Sequence, residues 1–338
     1  MKACIFGCSS AILSAGERAF FREMDPLGFI LFARNCQDRE QLRRLVEDLR
    51  DAVGRDAPVL IDEEGGRVQR MKPPCWRDSP APGIFGEIFR RDPAAALELA
   101  TMNARLIAED LYEVGIDVNC APLLDLREIN GHAVIGDRAF SPEPETVVLL
   151  AESWIKGLRA GGIVPVIKHL PGHGRTRVDS HHALPVVDAG LVDLDERDFS
   201  PFRALRNSSV GMTGHLLFSA IDPDQPATLS CKVIAEVIRE RIGFKGLLLT
   251  DDLSMSALRG SIGERAELAI VAGCDVALHC NGELGEMREV AAKVPALFGE
   301  GLRRAEAMLA KVRFVRSTRQ KLNRNQALAS FERKLANV

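Results

Sequence analysis

The segment GGIVPVIKHLPGHGRTRVDSHH, Gly161 to His182, decides how this chain is read. Gly161–Ile167 is apolar and ends abruptly in Lys168, His169, Pro171 and Gly172. A short apolar run bounded in this way reads as a buried strand emptying into a loop. Four of the chain's seven histidines, with Asp179, fall between Lys168 and His182. Catalytic groups are commonly carried on such loops and held in place by a rigid sheet.

Outward from this strand, the pattern of apolar run, polar end and amphipathic helix repeats. Strands are expected at Ala3–Cys8, Gly28–Phe32, Pro58–Ile61, Asp117–Ala121, Val164–Lys168, Val210–Thr213, Gly246–Leu249 and Val276–His279. Helical patterns lie between them. Leu42, Leu45, Val46, Leu49 and Val53 share one helix face that stops at Gly54. Asp92-Pro93 marks a helix start, Ser141-Pro142 another, and Ser230 can cap a helix running through Val237 and Ile238. Eight strands alternating with helices predict a single-domain (β/α)8 TIM barrel over residues 1–338, with a doubly wound open sheet as the runner-up. The basic tail, about 316–338, is expected to form a peripheral helix.

Composition narrows the class. The chain has 338 residues, is 46% hydrophobic and 27% charged, and carries a net charge of −3, which suits a globular enzyme and gives no reason to expect nucleic acid or an anionic membrane as a partner. The eight cysteines are scattered and show neither CxxC nor zinc-finger spacing. Reduced thiols, and hence the cytoplasm, are expected. The opening MKACIFGCSSAILSAG looks superficially like a leader, but Gly7 to Ser10 break its apolar run and Glu17-Arg18 follow closely. No run of eighteen apolar residues occurs.

A barrel places its active site at the C-terminal ends of its strands. Polar residues collect there: Asp62-Glu63-Glu64-Gly65-Gly66-Arg67 and Arg70, Asn119 and Asp125 followed by Arg138, Lys168-His169, Thr213-Gly214-His215, and Thr250-Asp251-Asp252. Asp251 stands where a nucleophile would be held, although Asp251 or Asp252 could instead cap the next helix. One could cap while the other reacts. In Asp179-Ser180-His181 a carboxylate two residues from an imidazole can fix its tautomer for proton transfer. The glycines of EEGGRVQR match neither phosphate-loop nor dinucleotide spacing, and a tight turn accounts for them. His169, His173, Asp179, His181 and His182 invite a metal reading. Pro171 and Gly172 preclude a helical ligand pair, and the first strand has no histidine, so neither a metal nor any other cofactor is expected.

Together, IDEEGGRVQR, APLLDL, VIGDRAF, KHLPGHGRTRVDSH and TDDLSM resemble the β-N-acetylglucosaminidases of glycoside hydrolase family 3, in order and approximate spacing from about Gly28 to Met255. The likeness is to the single-domain bacterial type that recycles cell-wall fragments. It implies that Asp251 is the nucleophile, that His181 is the acid/base with Asp179 as its partner, and that Asp62, Arg70, Arg138, Lys168 and His169 bind the sugar. Leu170 stands where Phe is usual, Thr250 where Ser is usual, and Glu63 where Gln or His is common. The stretch Arg127–His132 is slightly longer than the pattern. The implied substrate is a terminal β-GlcNAc on a muropeptide, whose carboxylates Arg175 and Arg177 could meet if they do not simply solvate the loop. A monomer is expected. A metal-dependent barrel hydrolase, a phosphorylase variant and a non-catalytic sugar-binding protein are the alternatives.

Overall fold

The protein is described from a computed structural model that defines residues 1–128, 135–176 and 184–338. Eight parallel strands close into a barrel: β1 Lys2–Phe6, β2 Pro26–Leu31, β3 Val59–Ile61, β4 Val118–Asn119, β5 Val164–Leu170, β6 Val210–Thr213, β7 Leu247–Asp252 and β8 Val276–His279. Each strand pairs with its sequence neighbours, and β1 pairs with β8 through Phe6 and His279 to complete the ring. This is the (β/α)8 architecture, and the open-sheet alternative is excluded by closure.

All eight expected strands are present, with shifted ends. β1 stops at Phe6 rather than Cys8, and β7 runs three residues past Leu249 to Asp252. β4 is short, Val118–Asn119, although the Asp117 and Cys120 amides still donate to the Val59 and Ile61 carbonyls of β3, and the Asp117 carboxylate also accepts the Val59 amide.

The helices start and stop on local chemistry. Ser14 and Glu17 form a capping box at α1 (Ala15–Met24), and Asp38 caps α2 (Arg39–Val53), which ends on Gly54 at φ 67°. Pro82–Phe89 (α3) precedes α4 (Pro93–Glu113), which Asp92 caps as expected. The helix expected from Ser141-Pro142 begins instead at Pro144 (α5, Pro144–Ala160). Ser141 Oγ accepts the Glu143 amide, which turns the chain before the proline sets the first helical φ. Ser230 Oγ accepts the Val233 amide and starts the turn that feeds a helix with wide π-type turns, Val233–Arg241.

Strand alternation sorts side chains into two cores. Inside the barrel lie Ile5, Ile30, Leu60, Val118, Val166, Met212, Leu249 and Leu278. Met308, Val312 and Val315 of the helix Gly299–Ser317 join this cluster, so that helix contributes the last apolar layer of the barrel interior. Outward residues such as Phe6, Phe29 and Ile61 pack with Phe20, Phe21, Leu45 and Leu49 of α1 and α2. Beyond this shell, the helix Arg324–Leu335 lies on α4, with Phe331 buried and Arg324 paired to Asp110 at 2.7 Å. Residues 316 and 317, expected in a separate tail, belong to the preceding helix, where Arg316 reaches Asp117 at 3.0 Å. All eight cysteines are free thiols. No helix among the described residues is long and apolar enough to cross a membrane.

Helices α4 and α5 approach each other closely. A Cβ at Gly157 would stand 2.4 Å from the Thr101 carbonyl oxygen and 2.8 Å from Ala104 Cβ. Gly157→Ala is therefore expected to destabilise the fold by about 1–3 kcal/mol, the usual range for overpacking, read as a lower urea midpoint. An unchanged midpoint would mean that the two helices can separate freely.

Candidate active site

The strand ends converge on a cavity of about 330 Å³ lined by Asp62, Arg70, Arg138, Lys168, His169 and Asp251, with Phe32, Met212, Met255 and Leu278 on its apolar side. A larger groove of about 860 Å³ runs between α4, α5 and the helix Gly299–Ser317, lined by Met102, Ile155, Leu205 and Phe314. None of the histidines or carboxylates of the strand-end cluster lines it. The smaller, polar cavity is the one with chemistry.

Its base is an ion-pair array. After β3, two short antiparallel strands, Glu63–Gly65 and Val68–Gln69, fold the chain back so that Arg70 meets Asp62 at 3.0 Å. Gly65 and Gly66 have φ of 91° and 58°, so the paired glycines are turn residues. Lys168, at the end of β5, places Nζ 2.8 Å from Asp62 and 2.7 Å from Glu64. Arg138 grips Glu64 with two hydrogen bonds of 2.8 Å. Burial would strip the Lys168 proton, but Asp62 and Glu64 hold its pKa above the ordinary lysine value. Burial likewise penalises ionised Asp62, yet Lys168 and Arg70 hold its carboxyl well below the usual range. Both ions are thus kept charged by each other.

The two aspartates of TDD separate cleanly. Asp252 is occupied: its carboxylate accepts the amides of Ser254 and Cys280, each at 3.1 Å, and the Ser254 hydroxyl at 2.6 Å. It shapes the turn after β7 and ties it to the end of β8. The next helix, Ile262–Ala272, has its own capping box from Ser261 and Glu264. Asp251 faces the cavity. One oxygen accepts the Asp252 amide at 2.8 Å, and the other lies 4.0 Å from His169 Nε2. Burial works against its ionisation, but His169, His215, the Asp252 amide and Lys168 outweigh it and hold the pKa below the ordinary Asp value. The group is an anion at neutral pH.

His169, His173 and His215 are each tied down. His169 Nδ1 lies 2.7 Å from Asp125, a buried carboxylate that also accepts the His173 amide at 2.7 Å. His173 Nδ1 meets the Thr176 hydroxyl at 3.1 Å, and burial pushes its pKa down to about 4. His215, after β6, bridges Thr228 at 2.8 Å and the Asp252 carbonyl at 3.0 Å. Arg175 pairs with Asp198 at 2.7 Å and Asp193 at 2.9 Å, so it anchors the loop instead of facing a ligand. The structure therefore brings together Asp62, Arg70, Arg138, Lys168, His169 and Asp251. Asp179 and His181, with Arg177 and His182, lie outside the described residues. Among the described residues, no cluster of three or more His, Cys, Asp or Glu has the arrangement of a metal site.

Comparison with known proteins agrees with this geometry. Residues 17–315 match the model of the glycosyl hydrolase family 3 N-terminal domain. The chain belongs to glycosyl hydrolase family 3. A beta-hexosaminidase of Alkalilimnicola ehrlichii is 41% identical over 282 residues, which cover 82% of this chain and 80% of the relative. One from Xylella fastidiosa is 36% identical over 323 residues, covering 92% and 95%. Among solved structures, NagZ from Neisseria gonorrhoeae in complex with N-trifluoroacetyl-D-glucosamine superposes with a TM-score of 0.88, at 31% identity, over 99% of this chain and 98% of that one. Within the family, this chain is a glycoside hydrolase of the N-acetylhexosaminidase type.

Sequence reasoning gives no role to two residues of this family 3 site. Glu64 reads as one more acid in DEEGG, and only folding shows it between Lys168 and Arg138. Asp125 stands at a strand end, but nothing in APLLDL signals its partner more than forty residues away. Glu63 has a different function from its neighbour. Its side chain accepts the amides of Arg70 and Met71 at 2.8 and 3.1 Å and so closes the hairpin, while Asn119 clamps its peptide.

Burial pushes the Glu63 carboxyl up to about 8 from 4.5 in spite of those two amides. A pKa raised on folding costs stability as pH rises from the unfolded value through the folded one. Glu63→Gln keeps an acceptor for both amides and removes the charge. The variant is expected to exceed the parent in unfolding free energy by on the order of 2 kcal/mol at pH 8, with the gap closing at pH 4.5. Urea titrations at the two pH values measure it, and a gap independent of pH would contradict the assignment.

Proposed function

We propose that this chain is a retaining exo-β-N-acetylglucosaminidase that removes terminal β-GlcNAc from peptidoglycan fragments. The observation that carries the reading is Asp251: an ionised carboxylate on the wall of a cavity whose polar side carries hydrogen-bonding groups suited to sugar hydroxyls. At about 330 Å³ the cavity is near the small end of ligand pockets, which suits one terminal sugar ring and hence exo action. Asp62, Arg70, Arg138, Lys168 and His169 would bind that ring. The array offers both acceptors and donors, as vicinal hydroxyls require.

In the proposed mechanism Asp251 attacks the anomeric carbon and the glycosidic C–O bond breaks as His181 protonates the departing oxygen. Water, deprotonated by His181, then displaces Asp251 and restores the anomeric configuration. Asp179 would hold the His181 tautomer. His169 is a poor alternative for the acid. Its Nδ1 is taken up by Asp125 at 2.7 Å, and its Nε2 lies 4.0 Å from Asp251, the group it would have to work beside. The muropeptide aglycone rests on the resemblance to the single-domain bacterial type. Free cysteines suit a cytoplasmic enzyme in that role.

The test is release of p-nitrophenol from its β-N-acetylglucosaminide, with the β-glucoside in parallel and EDTA present. Turnover of the N-acetyl sugar alone, untouched by EDTA, is expected. Phosphate buffer should leave free GlcNAc as the product, and a sugar 1-phosphate would mean a phosphorylase. Asp251→Asn is expected to abolish measurable turnover. His181→Ala should slow hydrolysis by roughly 10²–10⁴, with a smaller loss on a 2,4-dinitrophenyl substrate that scarcely needs protonation. Equal losses on good and poor leaving groups would remove His181 from the acid role.

A further inference from the structure

A second Asp–His pair lies wholly within the described residues. Asp125, on the segment after β4, is 1% exposed, and both of its oxygens are engaged. One accepts the backbone amides of His169 at 3.2 Å and His173 at 2.7 Å. The other faces His169 Nδ1 at 2.7 Å. Burial would raise its pKa, but His169 and the His173 amide bring it down to about 2. An ionised carboxylate can only accept hydrogen bonds, so the shared hydrogen sits on Nδ1. The outer nitrogen, Nε2, is then the one presented to the cavity, 4.0 Å from Asp251. On the β6 side Gly214 packs close to the base of this side chain, where a Cβ would stand 3.1 Å from His169 Cβ.

We infer that Asp125 is a positioning residue: it fixes which nitrogen of His169 carries the hydrogen, and thereby what His169 presents to Asp251 and the sugar. The inference rests on Asp251 being the nucleophile, as proposed above. With its one hydrogen on Nδ1, the uncharged imidazole would present an acceptor toward the cavity, matched to a sugar hydroxyl donor. The opposite tautomer would point N–H at the Asp251 carboxylate, bind it in the free enzyme and blunt its attack. The other titratable groups around the ring are His173, at 5.5 Å between centroids, and His215, which faces the same aspartate. Both are pushed toward the neutral form by burial, so neither sets a positive charge beside the ring.

Asp125→Asn makes this testable because an amide has only one acceptor oxygen. If that oxygen serves the two backbone amides, the NH2 group faces Nδ1 and forces the hydrogen to Nε2. The same logic operates in the serine-protease triad, where the Asn variant leaves geometry intact but traps the wrong tautomer. In the parent protein, ¹⁵N long-range correlation spectra should show His169 with its hydrogen on Nδ1, and in Asp125→Asn on Nε2. The variant should lose at least about 10-fold in kcat on p-nitrophenyl β-N-acetylglucosaminide, with a smaller change in KM. In a His169→Ala background the same substitution should cost less than about 2-fold, since the group it acts through is gone.

A parent His169 already protonated on Nε2 overturns the inference without any variant. So does an Asp125→Asn loss that persists in full in the His169→Ala background, which would place the role of Asp125 in holding the loop backbone. Trapping of a glycosyl group on Asp251 of the parent enzyme is the separate control. If no Asp251 adduct forms, the functional reading falls, while the tautomer measurement still reports on Asp125.

Discussion

The burial of Lys168 between Asp62 and Glu64 is the constraint around which the site is organised. Its side chain is 3% exposed, and an ammonium so far from water is tolerated only when paired on more than one side. Each carboxylate in turn needs a second cation, which Arg70 and Arg138 supply. The hairpin after β3, the loop after β4 and the end of β5 are thereby fixed to one another through charge. With Asp251, three carboxylates face three permanent cations, and the cavity is strongly polar without a large net charge. That suits a neutral, hydroxyl-rich sugar better than a phosphate or a nucleotide.

The closed barrel makes such a site tenable. Its interior is filled by Ile5, Leu60, Val166, Leu249 and their neighbours, continued by Met308, Val312 and Val315 from the helix Gly299–Ser317. The strand ends therefore emerge from a packed floor that side chains cannot sink into. Polar groups at those ends must satisfy one another or a ligand. Asp252 and Glu63 do the first, accepting backbone amides across neighbouring segments. Asp251, one residue before Asp252, keeps an oxygen free of any backbone donor among the described residues and lines the cavity. Two adjacent carboxylates thus have different duties, because the amides of Ser254 and Cys280 take up Asp252 while Asp251, among the described residues, accepts only its neighbour's amide.

Much of this was legible in the chain itself. Periodicity alone located all eight strands, because a parallel barrel strand is buried on both faces and reads as an unbroken apolar run. The cap at Asp92 and the stop at Gly54 act locally and are recognisable without tertiary information. The resemblance carried by KHLPGHGRTRVDSH and TDDLSM supplied the candidate roles. Where sequence and structure differ, the cause is local mimicry or a contact across the fold. Ser141 mimics a helix start because the turn it makes with Glu143 has the same residue signature. Arg175 reads as a free cation because Asp198 and Asp193, which hold it, are distant in sequence.

What the sequence determined by itself is the order of elements, eight strands alternating with helices, and the set of polar residues at the strand ends. Those depend on hydrophobic periodicity and turn chemistry, which act over a few residues. Only the tertiary structure decided which polar groups pair. Whether Glu64 neutralises Lys168, whether Asp252 is taken up by the Cys280 amide and whether Asp125 orients His169 depend on distances between strands far apart in the chain. Charge and hydrogen-bond satisfaction at low dielectric are settled in space, and the spacing of residues along a chain does not encode them.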